Sequence, residues 1–253
     1  MYERHGTDGA GERWAVVVAI PAHDEQLLLG RCLAAVTAAA DRIRSIADVH
    51  IVVAADSCAD ATERVASASL ASRHASIVRL NARNVGAARA AAITAGSAVV
   101  GSATDRLWLA LTDADSRVPD DWLQAHLRAA ATGYHAVVGA VAVDDWSARR
   151  LRLDADLCRY RQVQRRGGER PVHGANLGVS AAALQTVGGL PAQARSEDAA
   201  LVARLEAAGM RVLWDPRLIV HTSARRSRRT PGGFSSLLDD LERRPPPLDP
   251  RCA

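Results

Sequence analysis

Lysine is absent from this chain, and all 32 basic residues are arginine. No side chain can form a Schiff base or act as an ammonium clamp, so any phosphate clamp must be a guanidinium. The four cysteines, Cys32, Cys58, Cys158 and Cys252, are scattered without paired spacing. They indicate neither a disulfide framework nor a zinc site. No apolar run approaches the roughly 18 residues a membrane span needs. The start, residues 1–13, is polar and carries no hydrophobic signal core, so the expected location is cytoplasmic. The first strand-to-helix turn lacks Gly-x-Gly-x-x-Gly, which counts against a nicotinamide or flavin enzyme. There is no P-loop, because Gly-x-x-x-x-Gly-Lys-Ser/Thr does not occur.

What is present suits one α/β domain: 253 residues, 48% of them apolar, with a net charge of +4. The arginines are clustered, with Arg149, Arg150, Arg152, Arg159, Arg161, Arg165, Arg166 and Arg170 in one segment and Arg225, Arg226, Arg228 and Arg229 in another. Such clusters suit phosphate-bearing ligands or an anionic surface. Solvated helix faces account for most of them equally well.

The chain is organised around Leu107-Trp108-Leu109-Ala110-Leu111-Thr112-Asp113-Ala114-Asp115-Ser116, an apolar run of strand length ending in two carboxylates. Both acids then lie just past the carboxyl edge of a buried strand, where open α/β sheets bind ligands. Carboxylates one residue apart can lean toward one hard cation, and Mg²⁺ or Mn²⁺ held so keeps open positions for substrate phosphates. A loop with two solvated acids is the plain alternative for so short a motif.

Around it, strand and helix patterns alternate. Residues 14–20 form a nearly continuous β-branched run, read as a central parallel strand and stopped by Pro21-Ala22-His23-Asp24-Glu25. A helix follows with Leu27, Leu28, Cys32, Ala35 and Val36 on one face. A second strand over 50–54 runs into an acidic loop in which Asp60 is placed to cap a helix over 61–71. Asp56 has no such duty, and an acid there can accept from a nucleotide base or ribose. A third strand over 77–80 leads to Arg83, Gly86 and Arg89, where small residues admit a ligand and the arginines can reach phosphate. Beyond the fourth strand, Pro119 is expected in the first turn of a helix carrying Trp122, Leu123, His126 and Leu127. Residues 136–143 read as a fifth strand and 148–166 as an arginine-rich amphipathic helix. Ser196-Glu197-Asp198 opens a helix with Leu201, Val202, Leu205 and Ala208 as its buried stripe, ended by Gly209. Two acids in a first turn are ordinary, since they complement the helix dipole. Residues 212–214 and 218–220 read as two short late strands before His221. The expected layout is a disordered N-terminus over 1–13, one domain over 14–225 and an Arg/Pro-rich, weakly ordered tail over 226–253.

The order of these pieces is more specific than any one of them. Val-Val-Ala-Ile-Pro-Ala-His-Asp-Glu, Ala-Asp-Ser-Cys-Ala-Asp-Ala-Thr, Asn-Val-Gly-Ala-Ala-Arg, Thr-Asp-Ala-Asp, Gly-Ala-Asn-Leu-Gly-Val, Val-Gly-Gly-Leu and Ser-Glu-Asp resemble the family 2 glycosyltransferases of GT-A fold, of small soluble bacterial type, from about Trp14 to Arg225. The resemblance implies a Rossmann-like mixed sheet flanked by helices in a single domain, a nucleotide-diphospho-sugar donor, a hydroxyl acceptor and Mg²⁺ or Mn²⁺. By position it places Pro21, Ala22 and Glu25 at the nucleoside, Asp56 at the base, Arg89 near the nucleotide and Asp113 near the ribose or sugar. Asn176 falls near donor sugar and acceptor, Asp115 at the metal, and Asp198 matches the base of the Glu197-Asp198 pair. His221 lies where some relatives place a further metal ligand, and Arg225 could add charge-assisted bonds to the phosphates.

The chain also departs from the family pattern. Ala55 replaces the first of two adjacent acids and Ser57-Cys58 replaces Gly-Ser, which leaves base selectivity open. The Gln-x-x-Arg-Trp motif of processive synthases is absent, so a polymerising enzyme is not expected. Nucleic acid is not an expected partner. The arginine-rich helix leaves peripheral membrane contact open, as the sequence leaves the oligomeric state. The expected reaction is metal-assisted sugar transfer, inverting if Asp198 takes the acceptor proton, though some relatives with a histidine after the last strand retain configuration. Two rivals remain: a nucleotide-sugar binding module without turnover, and a sugar-phosphate nucleotidyltransferase. The second typically needs a Gly-rich loop after the first strand, where this chain has Pro-Ala-His-Asp-Glu.

Overall fold

The continuous apolar run near the start of the chain has two buried faces. In the computed structural model, which describes residues 13–101, 104–143, 172–191, 196–225 and Asp239, Val16, Val18 and Ile20 pack on one side of the sheet. Ala15, Val17 and Ala19 pack on the other. This is the pattern of a central parallel strand covered on both faces. The strand, β1 (Trp14–Ala22), pairs in parallel with β2 (Ala47–Asp56) and with β4 (Leu107–Leu111), while β3 (Ala75–Leu80) pairs with β2. Among the described residues the sheet has seven strands, in the order β3-β2-β1-β4-β6-β5-β7. β6 (Leu177–Ser180) runs antiparallel between β4 and β5 (Ala136–Val143), and β7 (Val212–Thr222) closes that side parallel to β5. The expected mixed α/β sheet is therefore present.

Helices α1 (Leu29–Ile43), α2 (Thr62–Leu70) and α4 (Trp122–Ala131) cover one face. Helices α3 (Val85–Val100), α5 (Ala181–Thr186) and α6 (Glu197–Ala207) cover the other. The chain leaves β1 toward β2 on one side and reaches β4 on the other. The carboxyl ends of β1 and β4 thus flank the point where strand order reverses, the place where open α/β sheets bind ligands.

Several boundaries differ from those the sequence suggests. Leu27 is 83% exposed, because Leu28 and Leu29 both donate to the Glu25 carbonyl in a turn and α1 begins only at Leu29. Pro119 precedes α4 in a turn closed by Trp122 N–H, and Ala208 is exposed past the end of α6. The two late strands are one, β7, whose pairing shifts register between Gly139 and Ala140 of β5. The arginine-rich segment 148–166 and the tail, Asp239 apart, lie outside the described residues. No helix among the described residues is long and apolar enough to cross a membrane.

A polar knot fixes the register shift. Asn176 is fully buried; its amide donates to the carbonyls of Ala140 and Leu218, each at 2.8 Å, and its carbonyl accepts from Trp122 Nε1 at 3.0 Å. Gly139 lies directly over it, where a Cβ would stand 2.1 Å from Nδ2, so only glycine fits. Asn176→Ala would leave an indole N–H and two carbonyls unpaired in the core. We expect a loss of about 3–5 kcal/mol in unfolding free energy, measured by urea denaturation.

Beside this knot, Trp108 Nε1 donates to His126 Nδ1 at 3.1 Å, and burial depresses the His126 pKa to about 3. The folded protein thus excludes a proton that the unfolded chain accepts below its ordinary value near 6.5. Stability from this residue is complete above that value and falls as pH drops toward about 3, at up to ~1.4 kcal/mol per pH unit. Unfolding free energies of wild type and His126→Phe, measured from pH 7 to 4, should converge or cross as pH falls.

Candidate active site

Among the described residues, four other than glycine have left-handed backbones: Asp24, Ser57, Arg83 and Ser196. The first three sit in the loops after β1, β2 and β3, and the fourth precedes α6. Strained conformations of this kind persist where surrounding bonds over-determine them and gather at functional sites. The bonds are evident here. Asp24 Oδ1 accepts from the N–H groups of Ala59 and Asp60, Gln26 Oε1 from Ala61, and Thr62 Oγ1 from Glu25 N–H. Asp60 accepts from Thr62 N–H at 2.9 Å, but it does not cap the helix as its position suggests: α2 begins at Thr62, and its N-cap is Ala61, which has no side-chain cap. His23 Nδ1 donates to the Asp56 carbonyl at 2.7 Å, and Pro21 and Ala22 form the buried end of β1.

Asp56 ends β2 and takes four donors: the N–H groups of Ala82, Arg83 and Asn84 and the Ser57 hydroxyl. Burial pushes its pKa up, but these donors outweigh it and hold the carboxyl below its ordinary value. The acid without an evident structural duty in the sequence therefore shapes the loop before α3, whose N-cap, Asn84, accepts from Ala87 N–H.

The Asp-Ala-Asp segment follows β4. Asp113 Oδ1 accepts from Arg89 Nη2 at 2.5 Å, and its carbonyl accepts from the buried Cys32 thiol at 3.3 Å. Asp115 Oδ1 accepts from Thr222 Oγ1 at 3.2 Å and from Ser116 Oγ at 3.3 Å. Burial, and then the negative charges of Asp113 and Glu25, raise the Asp115 pKa to about 6. Arg225 opposes this from 3.9 Å while forming a two-pronged pair with Glu25. The resemblance points Glu25 toward the nucleoside and Arg225 can reach phosphate; in this structure each holds the other. His221 exchanges backbone hydrogen bonds with Arg117, two residues beyond Asp115, and Thr222 beside it reaches the Asp115 carboxylate.

A half-buried carboxylate crowded by like charges fits a cation. Among the described residues, no three His, Cys, Asp or Glu side chains converge on one point. The protein could therefore supply one or two ligands and leave the rest to substrate oxygens and water, as Mg²⁺ sites do.

The acid pair arrives on α6. Glu197 is buried and bonded to Arg89 Nη1, while Asp198 Oδ2 accepts from Gly174 N–H at 2.6 Å and Oδ1 from Ala199 N–H at 2.8 Å. Burial, only partly offset by Arg89, leaves the Glu197 pKa raised. Arg89 thus bridges the rim of β4 and the start of α6. Arg89 joins Asp113 to Glu197, the neighbour of Asp198, and Arg225 joins Glu25 to Asp115, with the Asp113 charge acting on Asp115 between the two groups; Asn176 and Asp56 serve the frame beside them. The sequence reading did not pick out Thr222 or Gly174. Gly174 opens the Gly-Ala-Asn-Leu-Gly-Val motif and Thr222 follows His221, but no pattern in the sequence marks a hydroxyl or an amide as the partner of a distant acid.

The fold and this rim of acids define the class as a GT-A-type α/β domain. The family model described as Glycosyl transferase family 2 matches residues 17–188, and the chain belongs to that family. No curated protein sequence matches the chain. Among solved structures, it resembles a mannosyltransferase from Pyrobaculum calidifontis in complex with GDP-Man and Mn²⁺, with 18% identity and a TM-score of 0.62. That match covers 87% of this chain and 59% of the other. S. aureus TarS in complex with UDP-GlcNAc aligns with 12% identity and a TM-score of 0.62, over 88% of this chain and 62% of that one. M. tuberculosis glucosyl-3-phosphoglycerate synthase with Mg²⁺ and UDP aligns with 18% identity and a TM-score of 0.54, over 90% and 75%. These likenesses concern the fold, and this chain spans about three fifths of the length of the first two.

Proposed function

We propose that this chain transfers a sugar from a nucleotide-diphospho-sugar to an acceptor hydroxyl by single displacement with inversion. The observation that supports this most is the Arg89 bridge, because it joins the acids at the rim of β4 to the acid pair of α6 at one place. The structural neighbours hold GDP-Man, UDP-GlcNAc and UDP, which all carry the diphosphate such a rim suits.

Asp115, with His221 on the adjoining strand, is the proposed holder of Mg²⁺ or Mn²⁺. When bound, that ion supplies Lewis acidity for the departing diphosphate. Arg225, at the edge of the same acids, provides a guanidinium that can move from Glu25 to a phosphate oxygen. Asp113 keeps Oδ2 for the donor's ribose or sugar, and the loops after β1 and β2 are placed to receive the nucleoside. Asp198 is the proposed base: its oxygens are aimed by two backbone N–H groups, and it removes the acceptor hydroxyl proton as the sugar bond forms. Its neighbour Glu197 stays bonded to Arg89.

The test is a panel of UDP-, GDP-, dTDP- and ADP-sugars with Mn²⁺ or Mg²⁺, read first as melting-temperature shifts. A ligand at about 100 times its dissociation constant should add about 2.7 kcal/mol of stability. The stabilising donor is then assayed for release of nucleoside diphosphate, and the anomer of the product is determined. A stabilising donor with no hydrolysis or transfer at any acceptor would leave a binding module. Retained anomeric configuration would remove Asp198 as the base.

A further inference from the structure

The residue that the family pattern sets near the nucleotide is enclosed by protein. Arg89 is 4% exposed, its two terminal nitrogens each serve one carboxylate, and Asp113 and Glu197 lie on separate elements. Gly174 covers the guanidinium: a Cβ there would stand 2.3 Å from the Arg89 central carbon. The same Gly174 presents its N–H to Asp198 at 2.6 Å. The cation therefore lies against Gly174, whose amide orients Asp198, while it grips the residue just before Asp198 and the first acid of Asp-Ala-Asp.

We propose that Arg89 is a positioning residue: it fixes the distance between the donor-side acid Asp113 and the acceptor-side acid Asp198 without touching the donor. This rests on the proposed glycosyl transfer for its kinetic consequence, but the positioning itself does not. Only a planar fork can do the task, because two carboxylates on different elements must be held at one spacing. A lysine ammonium keeps the charge and loses the spacing. Helix α3 suits the role, since Ala88 and Ala92 bury its face against the sheet and Asn84 caps its start beside the loop clamped by Asp56.

The experiment compares wild type with Arg89→Lys, Arg89→Met and Arg89→Ala. A misplacement of the reacting groups should lower kcat about 100-fold in all three. The donor KM should stay within about threefold, because no uniform binding is removed. Guanidinium ion should restore at least tenfold of the lost kcat in Arg89→Ala, whereas methylammonium at equal ionic strength should not. A donor KM raised about tenfold with kcat unchanged would show that Arg89 contacts the donor and would overturn the proposal, as would unchanged kinetics. Should Arg89→Met fail to fold because Glu197 is left buried and unpaired, Arg89→Met/Glu197→Gln removes both charges and is measured instead.

A readout independent of turnover separates this proposal from the functional one. Amide hydrogen exchange at Gly174 and at 199–202 should quicken at least tenfold in the double variant. Faster exchange there supports positioning even if wild type transfers no sugar, and unchanged exchange overturns it even if wild type does.

Discussion

Asp198→Asn should lower kcat for sugar transfer by about 10³-fold while the donor KM stays within about threefold, in steady-state assays with the stabilising donor. The side chain keeps its size and one acceptor oxygen. It loses the capacity to take a proton, and its NH₂ now faces one of the two N–H groups, from Gly174 or Ala199, that aim the carboxylate. An unpaired donor pair of this kind costs about 1–3 kcal/mol, so melting temperatures are measured alongside. Glu197→Gln serves as the contrast. Its carboxylate is buried and engaged with Arg89, so the variant should lower kcat through misplacement and lose stability as well. A turnover within tenfold of wild type in Asp198→Asn would mean the acceptor proton leaves by another route.

Asp115→Asn should abolish the additional melting-temperature rise that Mn²⁺ or Mg²⁺ gives in the presence of donor, and should lower kcat by about 10³-fold. Without metal, the same variant should melt above wild type. Asp115 is a half-buried anion beside Asp113 and Glu25, a crowding that Arg225 offsets only from 3.9 Å, so removing its charge relieves repulsion. Each kcal/mol relieved corresponds to about 2–4 °C in a chain of this size. Gain of stability with loss of function is the mark of a site kept strained for its ligand. A metal-free melting temperature below that of wild type, or an undiminished response to Mn²⁺, would take Asp115 out of the ion's site. Chelation of wild type with EDTA should reproduce the kinetic loss but not the gain in stability.

Much of the frame was legible because it depends on local pattern. The doubly apolar run of β1 and the acids just past β4 each follow from spacing and residue type. The divided reading of β7 had an equally local cause. Asp215, Pro216 and Arg217 interrupt the apolar pattern, yet pairing with β5 carries the strand through by a register shift that Asn176 secures from another segment. Leu27 fits the helical stripe by spacing, but the turn closed on the Glu25 carbonyl leaves it in solvent. Within the site, residue types indicated which groups could bind phosphate, base or metal. They did not indicate that Glu25 and Arg225 pair with each other, or that Asp56 is engaged by the loop over 82–84.

The sequence by itself determined the class of fold, the strand ends at which acids gather and the family to which the chain belongs, because periodicity, turn chemistry and ordered motifs act over a few residues. The tertiary structure alone decided which acid faces which cation. A guanidinium has no preference among carboxylates until packing sets their distances, and Arg89 meets Asp113 and Glu197 only because α3, β4 and α6, far apart in the chain, meet at the edge of one sheet.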